Sequence, residues 1–228
     1  MFKILIIIIL IYFAYCIIPT FYYKWFKTKA VKNLGDTNNI ALTFDDGIDK
    51  IYTEKLLDVL NKYNIKATFF IVAKTAEENP KTIKRMIKEG HTIGLHSLEH
   101  KDALLKGYFY TKKDFKTSIE IMKNHGLNIK YYRPPWGHMN IFTLKYIKNH
   151  RLQLILWNIM VGDWKDYSSS ERIENKLIKN ISKGSIICLH DGRGTNDAPK
   201  RTIQALDTVI PQLIEKGFNF VTMEQIYG

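Results

Sequence analysis

Cysteine is scarce in this chain of 228 residues: Cys16 lies in an N-terminal apolar run and Cys188 inside a later one. No disulfide framework follows from that pair, and the redox compartment stays open. Also missing are a recognition helix, a stacking-sheet motif and zinc-finger spacing, any of which would give the net charge of +12 a nucleic-acid meaning. The lysines are instead spread along the whole chain. Nucleic acid is therefore not expected as a partner, and an anionic envelope polymer or membrane surface is the better electrostatic match. No feature suggests a protein partner. No shift in composition marks a second large domain, and 46% hydrophobic with 25% charged residues is ordinary for one globular unit.

What is there begins at the N-terminus. Lys3 is followed by an unbroken apolar run from Ile4 to Ile18, and then by Pro19. About fifteen residues is short for a spanning helix, but Phe2 and the aromatics between Thr20 and Trp25 extend it to the interfaces. No small-x-small cleavage site follows, and Tyr15 before Cys16 argues against a lipid on that cysteine. The expectation is an uncleaved signal anchor over residues 1–19, with a cleaved signal peptide as the alternative. Residues 20–37 read as a basic, aromatic juxtamembrane linker, and 38–228 as the main domain. Lys24, Lys27, Lys29 and Lys32 put more positive charge after the run than before it, contrary to the positive-inside rule for an outward-facing domain, so that orientation rests partly on function.

Beyond residue 37 apolar β-type runs alternate with stretches of helical spacing. The runs are Ile40 to Phe44, Ala67 to Val72, Thr92 to Leu95, Lys130 to Tyr132, Leu152 to Trp157, Ser185 to Leu189 and Phe218 to Thr222. Such runs, apolar on both faces and separated by amphipathic helices, predict an α/β fold with a parallel sheet covered by helices, open or closed into a barrel. In either form the ligand sits at the carboxyl ends of the strands.

Five polar clusters fall at those ends. Asp45 and Asp46, in Thr43-Phe44-Asp45-Asp46-Gly47, leave a strand in opposite directions, one suited to a cation and the other to a reacting water, although Asp-Asp-Gly alone is an ordinary turn. His96 and His100 are four apart, which on a helical turn puts both imidazoles on one side. With Asp46 they supply two nitrogens and one oxygen and leave a position open, the pattern of a catalytic rather than structural metal site. In Arg133-Pro134-Pro135-Trp136-Gly137 the prolines and glycine need mean no more than a rigid loop, but Arg133 can pair with Asp45 and orient it, and the Trp136 N–H can face a developing oxyanion. Asp163-Trp164 and Leu189-His190-Asp191 give a carboxylate and an imidazole for a second acid/base pair, against the plainer reading of His190 as part of a turn. Trp136 and Trp164 offer an apolar platform for a sugar ring. His91, His125, His138 and His150 read as structural or exposed.

Across residues 38 to 225 these motifs, in this order, resemble the polysaccharide deacetylases with a NodB-like domain, carbohydrate esterase family 4. The resemblance implies a distorted (β/α)7 barrel preceded by the N-terminal apolar helix. It implies Asp45 as general base, Asp46, His96 and His100 as ligands of a divalent metal, usually Zn2+, and Arg133 as the tether of the base. It also implies Trp136 as the oxyanion amide, Asp163 as partner of the acid and His190 as the acid. Departures from the family pattern are Met160 where an aspartate is frequent, Ile48 where a proline follows Asp-Asp-Gly, and the lack of a proline after His100.

The implied activity is hydrolysis of N-acetyl groups on an amino sugar of an envelope glycan, with peptidoglycan first, by a single-pass membrane protein whose domain faces outward. An O-acetyl esterase, or a deacetylase of a membrane-linked or small amino sugar, is the alternative among enzymes. A non-catalytic glycan-binding module is the alternative from another class, and the intact Asp45, Asp46, His96, His100 and His190 argue against it, since binding needs no acid/base pair around a metal.

Overall fold

The computed structural model describes residues 2–26 and 30–228. Eight parallel strands form one curled sheet: β1 (Asn39–Asp45), β2 (Thr68–Ile71), β3 (Thr92–Leu95), β4 (Tyr131–Tyr132), β5 (Gln153–Leu154), β6 (Ile159–Met160), β7 (Ile186–His190) and β8 (Asn219–Phe220). Their order is β5-β4-β3-β2-β1-β7-β6, with β8 paired to the start of β1. Each of the seven expected runs contains a strand. The eighth, β6, was not expected: Ile159-Met160-Val161 is apolar, but the strand is only two residues long and Met160 is half exposed.

Period-two alternation sorts the strand residues into two faces. Ile40, Leu42 and Phe44 of β1 and Ile187 and Leu189 of β7 join the large core beneath the helices, whereas Ala41 and Ile186 belong to a smaller inner cluster with Phe70, Tyr131 and Ile155. Leu56, Leu57 and Leu60 of one helix (Tyr52–Lys62) and Leu206, Val209 and Ile210 of another (Ala198–Glu215) pack into the large core. The remaining crossings include short helices such as Ala73–Glu78, and longer ones over Pro80–Lys88, Tyr108–Asn124, Ile141–Asn149 and Ser170–Asn180.

The N-terminal helix continues through a π-helical turn at Phe13–Ile17 to Trp25, beyond the expected limit at residue 19. The stretch read as a linker is built into the domain. Thr20 is buried and its Oγ1 bonds both the N–H and the carbonyl of Met139 at 2.8 Å, Val31 forms a parallel bridge with Ile155, and Asn33 an antiparallel bridge with Ser185. Residues 31–34 thereby connect the edge beyond β5 to the start of β7. Lys27 and Lys29 lie outside the described residues.

Candidate active site

Alternation along β1 puts Thr43 and Asp45 on the inner face with Ala41, and alternation along β7 puts Cys188 and His190 there with Ile186. Register then pairs Thr43 with Cys188 and Asp45 with His190. One ligand atom each from Asp45, Cys188 and His190 falls within 4.8 Å of the others. The carboxylate and the imidazole expected as base and acid are thus neighbours on adjacent strands.

Arg133 follows β4 and is fully buried across the sheet from them. Its Nη1 donates to Asp45 Oδ1 at 2.6 Å and to Thr43 Oγ1 at 2.8 Å, while Nη2 and Nε reach the carbonyls of Leu156 (3.0 Å) and Ile155 (3.3 Å). The guanidinium is satisfied on several edges, which fixes one Asp45 oxygen in place. The other, Oδ2, accepts a weak bond from Cys188 Sγ at 3.4 Å and lies 3.9 Å from His96 Nε2.

Asp46 turns away from its neighbour at a positive φ of 74°. Its Oδ1 stands 2.9 Å from His100 Nε2 and 3.4 Å from His96 Nε2. The three residues are buried, and their ligand atoms lie within 4.8 Å of one another. Burial alone would push Asp46 upward, but the imidazoles of His100 and His96, with His190 beyond them, hold it well below the ordinary carboxylate range. Asp46 Oδ1 nevertheless has no hydrogen bond of acceptable geometry, so an ionised oxygen is buried facing two ring nitrogens without being satisfied by them. A two-nitrogen, one-oxygen donor set with an orphaned carboxylate oxygen fits a divalent cation. His96 is oriented for that task, its Nδ1 held 2.7 Å from the Arg133 carbonyl so that Nε2 faces inward.

The two histidines do not share a helical turn. They meet through a loop in which Ser97 (φ 72°) and His100 (φ 56°) are left-handed, and Ser97 Oγ accepts from the His100 N–H at 2.9 Å. Four-residue spacing brought the rings together here by a tight reversal rather than by helical periodicity. The loop is pinned behind by the Ala73 N–H on the Ser97 carbonyl and by Asp114, whose Oδ1 accepts from the Leu98 N–H at 3.1 Å. Burial pushes the Asp114 carboxyl up to about 7. Glu99 pairs with Lys74 and takes no part in the site.

His190 Nδ1 lies 3.0 Å from Asp163 Oδ1, and Asp163 Oδ2 accepts from the His190 N–H and from Thr202 Oγ1. Burial lowers the imidazole, yet the charge and hydrogen bond of Asp163, with Asp46 and Asp45 further off, raise it to about 9. The net direction favours the charged form of the ring at neutral pH. Trp164 packs edge-on to it at 4.9 Å between centroids. On the opposite side Trp136 packs edge-on to His100 at 4.3 Å and is half exposed.

Trp136 is itself left-handed (φ 53°, ψ 8°) at the apex of a turn closed by Gly137 N–H to the Pro134 carbonyl and His138 N–H to the Pro135 carbonyl, neither of which uses the Trp136 N–H. Such a conformation costs a non-glycine residue about 1–2 kcal/mol. The turn is braced from outside by Lys24, whose Nζ donates to the Trp136 carbonyl at 2.9 Å.

The structure gathers the nine residues expected from the sequence, Asp45, Asp46, His96, His100, Arg133, Trp136, Asp163, Trp164 and His190, around one region at the strand ends; sequence reasoning had nominated them by type and position. It missed the buried supports Thr43, Thr202, Asp114 and Cys188, and it missed Lys24. It also gave Gly47 only a turn role. A Cβ on Gly47 would fall 2.3 Å from Asp191 Oδ2, so the glycine makes room for a carboxylate that Thr53 Oγ1 also binds at 2.6 Å. The Leu-His-Asp cluster itself carried the signal for Asp191, whose burial pushes it up to about 7.

The family model for polysaccharide deacetylases matches residues 32–155. A peptidoglycan-N-acetylglucosamine deacetylase of Bacillus cereus is 35% identical over 208 residues, covering 90% of this chain and 74% of that protein. A second Bacillus cereus protein of the same name is 34% identical over 216 residues, covering 91% of this chain and 94% of its own length. Among solved structures, a peptidoglycan N-acetylglucosamine deacetylase in complex with 4-naphthalen-1-yl-N-oxidanyl-benzamide aligns with a TM-score of 0.81 at 32% identity, covering 87% of this chain and 92% of that one.

Proposed function

The chain belongs to the polysaccharide deacetylase family, and from that membership we propose that it removes N-acetyl groups from amino sugars of peptidoglycan, releasing acetate. The observation that carries the reading is the pairing of Asp45 with His190 in strand register beside the Asp46, His96 and His100 cluster. A binding surface has no use for a carboxylate and a cationic imidazole held apart by separate partners within reach of one reacting group.

Asp46, His96 and His100 would hold the divalent cation, for which zinc is our assignment on the donor set. When bound, that cation supplies Lewis-acid polarisation of the acetamide carbonyl and acidifies the attacking water. Asp45 accepts the proton of that water, because Arg133 occupies its Oδ1 and leaves Oδ2 on the cluster side. The Trp136 N–H donates to the oxyanion that develops on the carbonyl oxygen. His190 protonates the sugar nitrogen as the carbon–nitrogen bond breaks, leaving acetate and a free amine, and Asp163 keeps it charged until then. Trp164 and Trp136 flank the site as apolar faces for the sugar ring.

Our reading of the N-terminal helix is a single-pass anchor with the domain on the outer side, where the glycan is. Phe2–Trp25 has a mean hydropathy of 2.7 over its most apolar window, enough by length and composition to cross a bilayer. The charges that follow it carry less topological weight than their number suggests. Lys24 is bound to the Trp136 carbonyl, and Lys32 Nζ donates to the carbonyls of Lys24 and Phe26, so both belong to the folded domain.

The test is acetate release from purified peptidoglycan by the full chain in detergent, with zinc and after chelation, beside Asp45→Asn. Zinc-dependent release that falls by about 10²–10⁴-fold in the variant while metal content is unchanged is the expected result. Undiminished release by Asp45→Asn would remove Asp45 as the base, and no release by the zinc-loaded wild type would remove the substrate assignment.

A further inference from the structure

Charge bounds the apolar interval of the N-terminal helix, with Lys3 at one end and Lys24 at the other. At 1.5 Å per residue the interval measures about 32 Å. The hydrocarbon thickness of a bilayer is about 30 Å, so Lys3 and Lys24 sit near opposite interfaces when the helix spans. Yet the second half of this interval is already occupied by the domain. Cys16 and Thr20 are buried, the Tyr15 hydroxyl donates to the Lys106 carbonyl, and Thr20 and Lys24 bond Met139 and Trp136. The helix keeps those contacts while spanning only where the protein surface that makes them also reaches the lipid.

That surface has the composition for it. Leu105 is 77% exposed, Phe109 84% and Ile141 45%. Each adjoins a residue tied in near the N-terminal helix: Leu105 precedes Lys106, whose carbonyl accepts from Tyr15 and Asn140, Phe109 follows Tyr108, which packs on Phe142, and Ile141 follows Asn140. Tyr15 packs edge-on to Phe142 at 5.8 Å, and Asn140 Nδ2 ties the start of the Ile141–Asn149 helix to the carbonyls of Ala103 and Lys106. The patch sits at the N-terminal ends of the helices Tyr108–Asn124 and Ile141–Asn149. In a parallel α/β unit those ends share a side with the carboxyl ends of the strands, which is the catalytic side. Charge agrees with this placement. No acidic residue occurs between Asp102 and Asp114, while Lys106, Lys112 and Lys113 fall in that interval. Lys106 and Lys145 hold their ammonium groups over the rings of Tyr110 and Tyr108, 4.9 and 5.5 Å from the centroids, which keeps two cations beside the patch for anionic headgroups.

We infer that the catalytic domain lies against the bilayer through Leu105, Phe109 and Ile141, so that the mouth of the site opens at the surface of an anionic lipid leaflet. The apolar side chains enter the interface, as the buried face of an interfacial helix does to a depth of about 5–10 Å. The modest mismatch between a docked helix and the membrane thickness is taken up by tilt or local thinning. Lys24 links the two events, since the residue that marks the end of the span also touches the Trp136 turn. Glycan strands close to the membrane are then the ones presented to the site.

The inference rests on the anchor reading, and the experiment separates the two. Both native cysteines are buried, so a single introduced cysteine takes a fluorophore selectively. Phe109→Cys, Ile8→Cys and Lys216→Cys, in the full chain, place the label on the patch, on the free part of the helix and beyond the C-terminal end of the helix Ala198–Glu215, away from the catalytic side. Phe109 and Ile8 are exposed and support no core, so folding is kept. The proteins are reconstituted in phosphatidylcholine–phosphatidylglycerol vesicles carrying brominated acyl chains. The expected result is loss of most of the fluorescence at positions 8 and 109, with position 216 unaffected. Quenching at 8 without quenching at 109, or equal quenching at 109 and 216, overturns the docked domain and leaves the anchor standing. No quenching at 8 removes the anchor and the inference together.

Discussion

In the proposed reaction the inner faces of β1 and β7 and the turn from Pro134 to Met139 take part by different means. On the strands, position is a consequence of the sheet: Asp45 and His190 are register partners, and each is then held by a buried residue from elsewhere, Arg133 or Asp163. In the turn no ladder fixes the backbone. Trp136 occupies a left-handed conformation and is kept there by the His100 ring on one side and by contacts from the N-terminal helix on the other. The placement of the proposed acid and base is thus intrinsic to the sheet, whereas that of the proposed oxyanion donor draws on a segment outside it.

Removing Arg133 is the harshest way to probe the first region. Arg133→Met leaves Asp45 buried without a cation and strands the carbonyls of Leu156 and Ile155, and breaking one member of a buried pair costs about 3–5 kcal/mol. We expect a lowered urea midpoint together with lost turnover. Arg133→Lys does not restore either, since a point charge cannot reproduce contacts to Asp45, Thr43 and two carbonyls. An unfolding midpoint equal to wild type would show that the strands position Asp45 unaided.

Asp163 tests the electrostatic half of the same design. His190 is raised to about 9 from an ordinary 6.5, so as the proposed acid it should donate through neutral pH and lose that capacity as pH rises through about 9. The ion pair likewise contributes its full stability below about 6.5 and loses it through the same window. In Asp163→Asn burial is no longer opposed by its strongest partner, so the alkaline limb of the kcat/KM profile shifts toward lower pH. At neutral pH the expected loss is about 10²-fold, within the range for a general acid. A limb that stays in place would mean that the group titrating there is not His190.

The contrast between the regions also explains how legible each was in the sequence. Alternation and strand-end position were enough to find Asp45, His190 and Arg133, because a period of two and a parallel topology leave few places for a polar residue after an apolar run. His96 and His100 do lie together beside Asp46, but not on the helical turn their spacing suggests, since their loop depends on left-handed Ser97 and His100, which spacing does not encode. The strand β6 went unread because the apolar Ile159-Met160-Val161, between Asn158 and Gly162, is too short to show a period. Lys24 was read as a topological charge in a linker. Its role depends on a contact with Trp136 more than a hundred residues away, and nothing local to Tyr23-Lys24-Trp25 announces it.

Lys24 gives the smallest expected effect and the sharpest test of the comparison. The ammonium holds the Trp136 carbonyl, and the Lys24 Cε lies 2.8 Å from where a Cβ on Gly137 would stand, so side chain and turn are packed together. Replacing it with methionine keeps most of that packing and deletes one charge-assisted hydrogen bond, worth about 1.5–3 kcal/mol at most. Because the bond holds the Trp136 carbonyl, and with it the left-handed φ and ψ that aim the Trp136 N–H proposed to meet the oxyanion, the loss should fall on kcat, by about tenfold, with KM unchanged. Hydrogen exchange at the Gly137 and His138 amides should quicken in parallel, and Lys24→Arg should restore both. A change confined to KM, or turnover unaltered while exchange quickens, would mean that the turn holds its own geometry and that the helix serves the membrane alone.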